Sequence, residues 1–176
     1  MSNRLPIEVN PFRMIEQRRS LTGVLPLQQL PRLRELAVAS QESEFKVEMI
    51  FTHSASGLPL IAGSVTGQLW LSCQRCLEPV KVEIATELNV VLTTSQTDRE
   101  PEEEGYELYI VDDERIFVRD FIEDEILLAL PVVARHAACQ PVKPLFEGSP
   151  DEFVEPSAAE ESKNPFAALK DWKKSE

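Results

Sequence analysis

The sequence predicts an α+β domain built on an antiparallel β-sheet meander with a few packed helices. Three observations lead to this prediction. Residues 44–94 contain long segments in which apolar and polar side chains alternate, as they do on the two faces of a sheet. Apolar residues recur at helical spacing in residues 118–130. Hydrophobic residues make up 43% of the 176-residue chain, which is enough for one core.

The first elements of the chain are expected to be short. Residues 5–9 are predicted to form a strand. A helix is predicted over residues 11–19, because Asn10 is a good helix cap and the proline after it suits the first helical turn. Residues 20–27 have an extended pattern. A second short helix is expected over residues 31–38.

The middle of the chain is predicted to be a meander of three strands, at residues 44–53, 60–73 and 80–94. A turn at residues 56–59 joins the first two, since the sequence there is Ser-Gly-Leu-Pro. Strict alternation in the first strand predicts that one set of its side chains faces the core. This set is Phe45, Val47, Met49 and Phe51.

A polar acidic loop is expected over residues 95–105, followed by two short strands at residues 106–111 and 115–118. The helix at residues 118–130 comes next and ends at Pro131. Its helical spacing places one group of side chains on the core and another in solvent. The apolar group at helical spacing is Phe121, Ile122, Ile126, Ala129 and Leu130, of which Phe121, Ile122 and Ile126 are expected to pack the core, and the expected solvent group is Asp120, Glu123 and Asp124.

The composition divides the chain into three parts. Residues 1–142 are expected to form the α+β domain. Residues 143–163 are rich in acids, Pro, Gly, Ser and Ala, so we expect a disordered acidic linker. Residues 164–176 are predicted to form a short C-terminal helix, because an Asn-Pro start is followed by apolar residues on one side. Those residues are Phe166, Leu169 and Trp172, and they either fold back onto the domain or anchor a partner.

Charge and hydropathy limit the classes of protein to which the chain belongs. No window holds 18 consecutive apolar residues, and the N-terminus lacks the apolar core of a signal peptide, so we expect a cytoplasmic protein with no membrane association. Three cysteines argue against a secreted disulfide scaffold. The formal net charge of −12 argues against a domain that wraps nucleic acid with a basic face.

The negative charge is concentrated in residues 98–130, where thirteen acids face three arginines, a net charge of −10. Two interpretations remain open for this acidic block. It is either a solvated surface that keeps the protein soluble or a binding surface for a basic protein. Glu102, Glu103 and Glu104 are the candidate interaction residues, because they follow one another in the polar loop.

A Cys-x-x-Cys pair, Cys73 and Cys76, is the most specific chemical motif, and a second short-spaced pair, His136 and Cys139, follows later. Together they form a Cys₃His set, which suits a structural zinc ion. A redox pair is disfavoured, because the motif lies between predicted strands and not at a helix N-terminus. Buried, inert thiols are the third interpretation. Nothing in the sequence points to a catalytic set or a small-molecule substrate, since phosphate-loop and nucleophile-elbow motifs are absent.

Three segments of the sequence resemble the YceD family of bacteria, also described as the DUF177 family. They are LSCQRCLEPVKV (residues 71–82), FIEDEILLALPVVARH (121–136) with Cys139 after it, and NPFAALK (164–170). The family pattern is a C-x-R-C-L-x-P turn, an acidic helix that ends in L-A-L-P, and a Cys/His segment. In some relatives the last segment offers two cysteines, whereas here His136 replaces one of them.

The resemblance implies a non-enzymatic role in ribosome biogenesis, in the synthesis, processing or stability of the large-subunit (23S) ribosomal RNA. A basic ribosomal protein or an assembly factor is then the expected partner, and direct RNA contact is an open question in which Arg75 and the basic N-terminal segment are candidates. A small zinc- or thiol-dependent RNA-processing enzyme is the alternative function.

Overall fold

The computed structural model describes residues 4–38, 41–94 and 105–142. These residues form an α+β fold in which a mostly antiparallel sheet carries three helices, as the sequence predicts. In chain order the elements are β1 (Glu8–Val9), α1 (Pro11–Glu16), β2 (Ser20–Pro26), a 3₁₀ turn (Leu27–Gln29), α2 (Pro31–Leu36), β3 (Glu44–His53), β4 (Pro59–Ser72), β5 (Pro79–Thr93), β6 (Glu107–Ile110), a 3₁₀ turn (Asp112–Glu114), β7 (Ile116–Phe117) and α3 (Val118–Ala129).

The main sheet of the described region has five strands in the order β2-β3-β4-β5-β6. Neighbours from β2 to β5 are antiparallel and consecutive in sequence, which confirms the meander. β6 differs, because it pairs in the parallel direction with the last four residues of β5. β7 leaves this sheet and pairs with β1, which places Phe117 opposite Glu8. The two short strands predicted after the acidic loop therefore belong to different sheets.

The core lies between one face of the main sheet and the three helices, since α1, α2 and α3 all contribute buried side chains. The alternation predicted for β3 is confirmed, since all four of its expected core side chains are at most 1% exposed. Phe121 on α3 meets the ring of Tyr109 on β6 edge to face, with ring centroids 5.4 Å apart. Ile122 and Ile126 are fully buried as expected. Leu130 is partly buried, whereas Ala129, the last residue of the helix, is exposed and does not continue the buried side.

Helix α1 ends at Glu16, three residues before the predicted end. The N–H of Arg19 donates to the carbonyl of Met14, and Arg18 between them adopts a left-handed conformation with φ 49°. This arrangement is a Schellman-type C-cap, which closes the helix and turns the chain into β2. At the N-terminus, the Asn10 side chain accepts a hydrogen bond from the N–H of Arg13, so the predicted cap is present.

Helix α2 ends at Leu36, two residues before the predicted end. Ala37 is extended, and the N–H of Val38 donates to the carbonyl of Trp70 on β4. The backbone bond to the sheet replaces the intrahelical bond that a longer helix would make.

The position of Glu123 corrects the sequence prediction that this side chain projects into solvent. Glu123 is 1% exposed and lies at the contact between α3 and α2. Its carboxylate accepts hydrogen bonds from the N–H of Leu33 and from Arg32, and these bonds satisfy the buried charge. Asp124 also bonds Arg32, whereas Asp120 is half-exposed as predicted.

Glycine at position 63 permits a close approach of β4 to β3. A Cβ atom there would lie 2.0 Å from the carbonyl oxygen of Glu48, and the φ angle is +155°. Such a contact is sterically forbidden, so any larger residue must separate the two strands.

None of the helices in the described ranges is long and apolar enough to cross a membrane. The predicted linker at residues 143–163 and the predicted helix at residues 164–176 lie outside the described residues. Their boundaries stay predictions, as does the end of the α+β domain at residue 142.

Candidate metal centre

The Cys-x-x-Cys pair lies in a tight turn that connects the two longest strands, β4 and β5. Two backbone bonds close this turn: Cys73 N–H donates to the carbonyl of Glu78, and Leu77 N–H donates to the carbonyl of Cys73, each at 2.9 Å. Leu77 adopts the left-handed conformation, with φ 63°. That conformation is costly for leucine, and it reverses the chain directly after Cys76. The sulfurs of Cys73 and Cys76 lie within 4.8 Å of each other across this turn.

The second pair lies in the segment that follows α3. This segment docks on the Cys-x-x-Cys turn through its backbone at two places. Gln74 N–H donates to the carbonyl of Ala134 at 2.9 Å, and Val142 N–H donates to the carbonyl of Arg75 at 3.1 Å. These bonds flank His136 and Cys139 and do not involve them. The two loops are thus joined independently of the four candidate ligands.

The ligand atoms of Cys73, Cys76, His136 and Cys139 all lie within 4.8 Å of one another. The sulfurs of Cys73 and Cys139 are 3.8 Å apart, and the Cys76 sulfur is 3.4 Å from Nδ1 of His136. A tetrahedral zinc ion with Zn–S bonds of about 2.3 Å separates two sulfurs by about 3.8 Å. The donor set and its spacing therefore fit a closed, four-coordinate zinc site.

The ring of His136 is oriented so that Nδ1 is available as a ligand. Its other nitrogen, Nε2, lies 3.1 Å from the carbonyl oxygen of Pro79. A carbonyl only accepts hydrogen bonds, so Nε2 carries a proton, and in the neutral ring Nδ1 is then the nitrogen with the lone pair that a metal needs. Such a backbone partner is the usual support of a metal-binding histidine, because it fixes both tautomer and ring orientation.

The polar environment of the turn favours the thiolate form of Cys73, the form that binds metals. Burial of this fully enclosed sulfur opposes ionisation. Backbone N–H groups of Cys76, Arg75 and His136 outweigh that effect and lower the pKa of Cys73 to about 5. The N–H of Glu78 favours the Cys76 thiolate, but burial and the neighbouring thiols of Cys73 and Cys139 raise the Cys76 pKa above its ordinary value.

The three interpretations of the cysteines now differ in how well they match the geometry. The redox interpretation stays disfavoured, because the Cys73–Cys76 pair lies in a turn between β4 and β5 and not at the N-terminus of a helix. Only Cys73 is fully buried, whereas Cys76 and Cys139 are partly exposed, so inert core packing accounts for one of the three. The convergence of four ligand atoms favours the metal interpretation.

Comparison with known proteins places this site within a family. The profile of the family described as "Large ribosomal RNA subunit accumulation protein YceD" matches residues 61–173, a range that includes all four candidate ligands. A relative from Haemophilus influenzae with the same description is 30% identical over 177 residues, which cover 97% of each chain. The chain belongs to the YceD family. No solved structure matches this YceD chain.

The structure turns the side chain of Arg75 towards the candidate metal ligands of this YceD-family chain. Its guanidinium donates to the sulfur of Cys139 at 2.8 Å and to the carbonyl of His136 at 3.0 Å. Direct contact of Arg75 with RNA stays a prediction. The other candidate interaction residues, Glu102, Glu103, Glu104, Phe166, Leu169 and Trp172, lie outside the described residues.

An open cleft lined by both apolar and acidic side chains is a feature that the sequence analysis missed. Ile110 and Phe117 line it and are 37% and 52% exposed. Asp113 and Glu114 also line it, and both have positive φ angles. The only sequence signal for the cleft is an apolar pair of short strands around an Asp-Asp-Glu run, a pattern that does not distinguish an exposed Phe117 from a buried one.

The lining of this YceD-family cleft keeps a negative charge. Its one arginine, Arg115, is paired with Glu8 at 3.5 Å. Asp113 has no ion-pair partner within the part of the chain that the structure describes, and Glu114 accepts only an amide hydrogen bond from Asn10. The described part of the acidic block therefore presents unneutralised carboxylates beside exposed apolar surface.

Proposed function

We propose that this chain acts in the accumulation of the large-subunit (23S) ribosomal RNA, through the synthesis, processing or stability of that RNA. The observation that carries this proposal is membership of the YceD family, together with a relative named for this role that aligns over nearly the whole chain. We place its action in the cytoplasm and regard it as non-enzymatic.

A strain that lacks the gene tests the biological role. The ratio of large-subunit to small-subunit RNA is expected to fall and to return to normal when the wild-type gene is restored. The small-subunit RNA is an internal reference, so slow growth alone does not move this ratio. An unchanged ratio in the deletion strain would contradict the proposal.

The alternative function is a small zinc- or thiol-dependent RNA-processing enzyme, and a purified reaction separates it from the non-enzymatic role. The reduced protein, with and without added Zn²⁺, is incubated with precursor large-subunit RNA. We expect the RNA to remain unchanged. Cleavage that requires wild-type protein and disappears in Cys73→Ser would favour the enzyme.

A basic protein is the partner that the charge of the chain favours, and a ribosomal protein or an assembly factor is the class that the proposed role supplies. A chain with a net charge of −12 repels phosphate overall, whereas it attracts lysine- and arginine-rich segments. The cleft supports this proposal, because it combines the exposed ring of Phe117 with the free carboxylate of Asp113. A basic partner could therefore make an apolar contact and an ion pair within the same cleft.

Charge reversal tests the partner. Replacement of the three glutamates at positions 102–104 by lysine is expected to weaken recovery of a basic partner from cell extract, and so is Phe117→Ala. The control replaces Glu48, Glu83 and Glu87, three exposed acids of the sheet, by lysine and so makes the same change in net charge. The difference should shrink as salt rises, since exposed charges are screened beyond about 8 Å at physiological ionic strength.

The outcomes of the partner experiment are distinct. Loss of recovery in the loop variant but not in the sheet variant supports a local acidic binding site. Equal loss in both indicates that net charge alone controls recovery. Unchanged recovery in all variants rejects the acidic mechanism and makes Phe166, Leu169 and Trp172 the next residues to replace.

We also propose that Cys73, Cys76, His136 and Cys139 hold a structural zinc ion. The support is the Cys₃His donor set, the 3.8 Å and 3.4 Å spacings, and the carbonyl that fixes the His136 tautomer. When bound, zinc would join the turn after β4 to the segment after α3 and so stabilise the fold. No step of the proposed RNA role requires the ion.

Metal analysis of the purified protein tests the zinc site. We expect about one zinc per chain and a lower melting temperature in Cys73→Ser, in Cys139→Ser and in wild type treated with a chelator. The chelator should have no further effect on the double variant. His136→Asn is compared with His53→Asn, because His53 is an exposed histidine at the end of β3. A metal-free protein with no chelator response would leave buried thiols as the explanation.

A further inference from the structure

We propose that Arg75 is the positioning residue of the zinc site: it holds the His136–Cys139 pair against the Cys73–Cys76 turn, so that the ion meets a preassembled set of ligands. This inference rests on the proposed zinc site and assigns a role to a residue that is not itself a ligand.

Three contacts of Arg75 span the whole length of the second ligand segment. Its Nε donates to the sulfur of Cys139 at 2.8 Å, and its Nη2 donates to the carbonyl of His136 at 3.0 Å. Its own carbonyl accepts the N–H of Val142 at 3.1 Å. Arg75 therefore bonds the backbone of the first ligand, the sulfur of the second ligand and the backbone of a residue three positions beyond it.

The shape of the guanidinium explains why an arginine suits this position. Arginine presents several N–H donors in a fixed plane, so one side chain bonds a sulfur and a carbonyl with little further loss of conformational freedom. A lysine at position 75 carries one flexible ammonium group and does not reproduce the planar fork. Because both bonds come from one rigid guanidinium, the arginine holds the Cys139 sulfur and the His136 carbonyl at a fixed separation. This separation orients the segment relative to the Cys73–Cys76 turn.

Charge balance gives a second reason for the arginine. Zn²⁺ with three thiolates and one neutral imidazole carries a net charge of −1, and the site is at most partly exposed to water. The guanidinium of Arg75 compensates this charge through a direct N–H···S bond to Cys139. Outer contacts of this kind orient the ligands and tune the affinity of a metal site.

The experiment compares Arg75→Met and Arg75→Lys with Arg135→Met. Arg135 belongs to the same segment but is exposed, so it is the matched control. Zinc affinity is measured by competition with a chromogenic chelator, and Co²⁺ replaces zinc so that the ligand-field bands report the coordination geometry. Far-ultraviolet circular dichroism of each zinc-saturated variant establishes that the sheet is intact.

We expect Arg75→Met to bind zinc about 10- to 100-fold more weakly than wild type and to shift the Co²⁺ bands. Arg75→Lys should fall between the two, because it keeps the charge and loses the fork. Arg135→Met should match wild type. Equal affinity and equal Co²⁺ spectra in wild type and Arg75→Met would overturn the positioning role while the zinc site stands. A wild type that binds no zinc would overturn both.

Discussion

The carboxylate of Glu123 caps the first turn of helix α2, because its Oε1 accepts a hydrogen bond from the backbone N–H of Leu33 at 3.1 Å. The first N–H groups of a helix have no partner within the helix, and α2 has no side-chain cap of its own. The other oxygen, Oε2, accepts from Arg32 at 3.1 Å. A buried acid on α3 therefore completes a short helix that lies 90 residues earlier in the chain.

Replacement of Glu123 by alanine is expected to lower the free energy of unfolding by about 1–3 kcal/mol, because the buried N–H of Leu33 loses its partner. Glu123→Gln keeps one acceptor and should cost less. Arg119→Met is the control: both members of its ion pair with Asp120 are about half exposed, so its loss should cost under about 1 kcal/mol. Chemical denaturation measures all three. A smaller effect for Glu123→Ala than for Arg119→Met would contradict the capping role.

Glu125 should make the stability fall as pH rises. Burial, helped by the charges of Glu107 and Asp124, raises the pKa of Glu125 to about 7 in the folded protein, against 4.5 as the ordinary value. Between these values the folded state binds more protons than the unfolded state, so the free energy of unfolding decreases with pH through this window. Above about pH 7 the buried carboxylate is charged, and the loss is complete.

Glu125→Gln should remove this pH dependence and be more stable than wild type at pH 8, while the two proteins differ less at pH 5. Urea denaturation at both pH values measures the effect. Glu83→Gln is the control, since that side chain is 79% exposed. Parallel pH profiles for wild type and Glu125→Gln would show that Glu125 is not the group responsible.

Glycine is expected to be more favourable than an L-residue at position 77, where Leu77 has a left-handed backbone. The residue combines a left-handed backbone with a side chain that is 65% exposed, so its replacement removes strain and little packing. We expect Leu77→Gly to be more stable than Leu77→Ala by about 1 kcal/mol, because alanine keeps the strain of the left-handed conformation. Thermal unfolding of the two variants in the same metal state measures the difference. The opposite order would mean that the turn does not hold this conformation.

Phe121 is the largest buried side chain that α3 contributes to the core. Its ring is 1% exposed and contacts Tyr109, so Phe121→Ala should lower the free energy of unfolding by about 3–5 kcal/mol. Leu128→Ala on the same helix removes a side chain that is 74% exposed and should change the value by under about 0.5 kcal/mol. Similar costs at the two positions would refute the assigned orientation of α3.

Elements with a simple hydrophobic period are the ones that sequence analysis predicts well. The alternation of β3 determines which side chains are buried, and the spacing of Phe121 and Ile126 orients α3. The pairing of β6 does not follow from such a pattern. A four-residue strand pairs in either direction with similar local chemistry, so its parallel contact with β5 depends on tertiary packing.

Glu123 shows why one part of the helix prediction was wrong. A run of acids normally faces water, and only the position of α2 reveals an unpaired N–H that a buried carboxylate can satisfy. The candidate metal centre was predictable as a set of four residues from their two short spacings. The supporting contacts of Arg75 and His136 were not, because they join backbone and side chains that are about 60 residues apart.

The contact between the two loops of the candidate metal centre also limits when the chain can complete its fold during synthesis. The contact between Cys73 and Cys139 spans 66 residues, so it forms only after β5, β6 and α3 have been made. β1 and β7, which pair Glu8 with Phe117, likewise cannot pair until Phe117 has been synthesised. Contacts of such long sequence separation form late because their loop-closure entropy must first be overcome. A nascent chain that stops before Ala134 therefore carries Cys73 and Cys76 with no second ligand pair to enclose them. The reactivity of these two thiols towards a small thiol reagent would then fall once residues 134–142 have been synthesised and have docked on the turn.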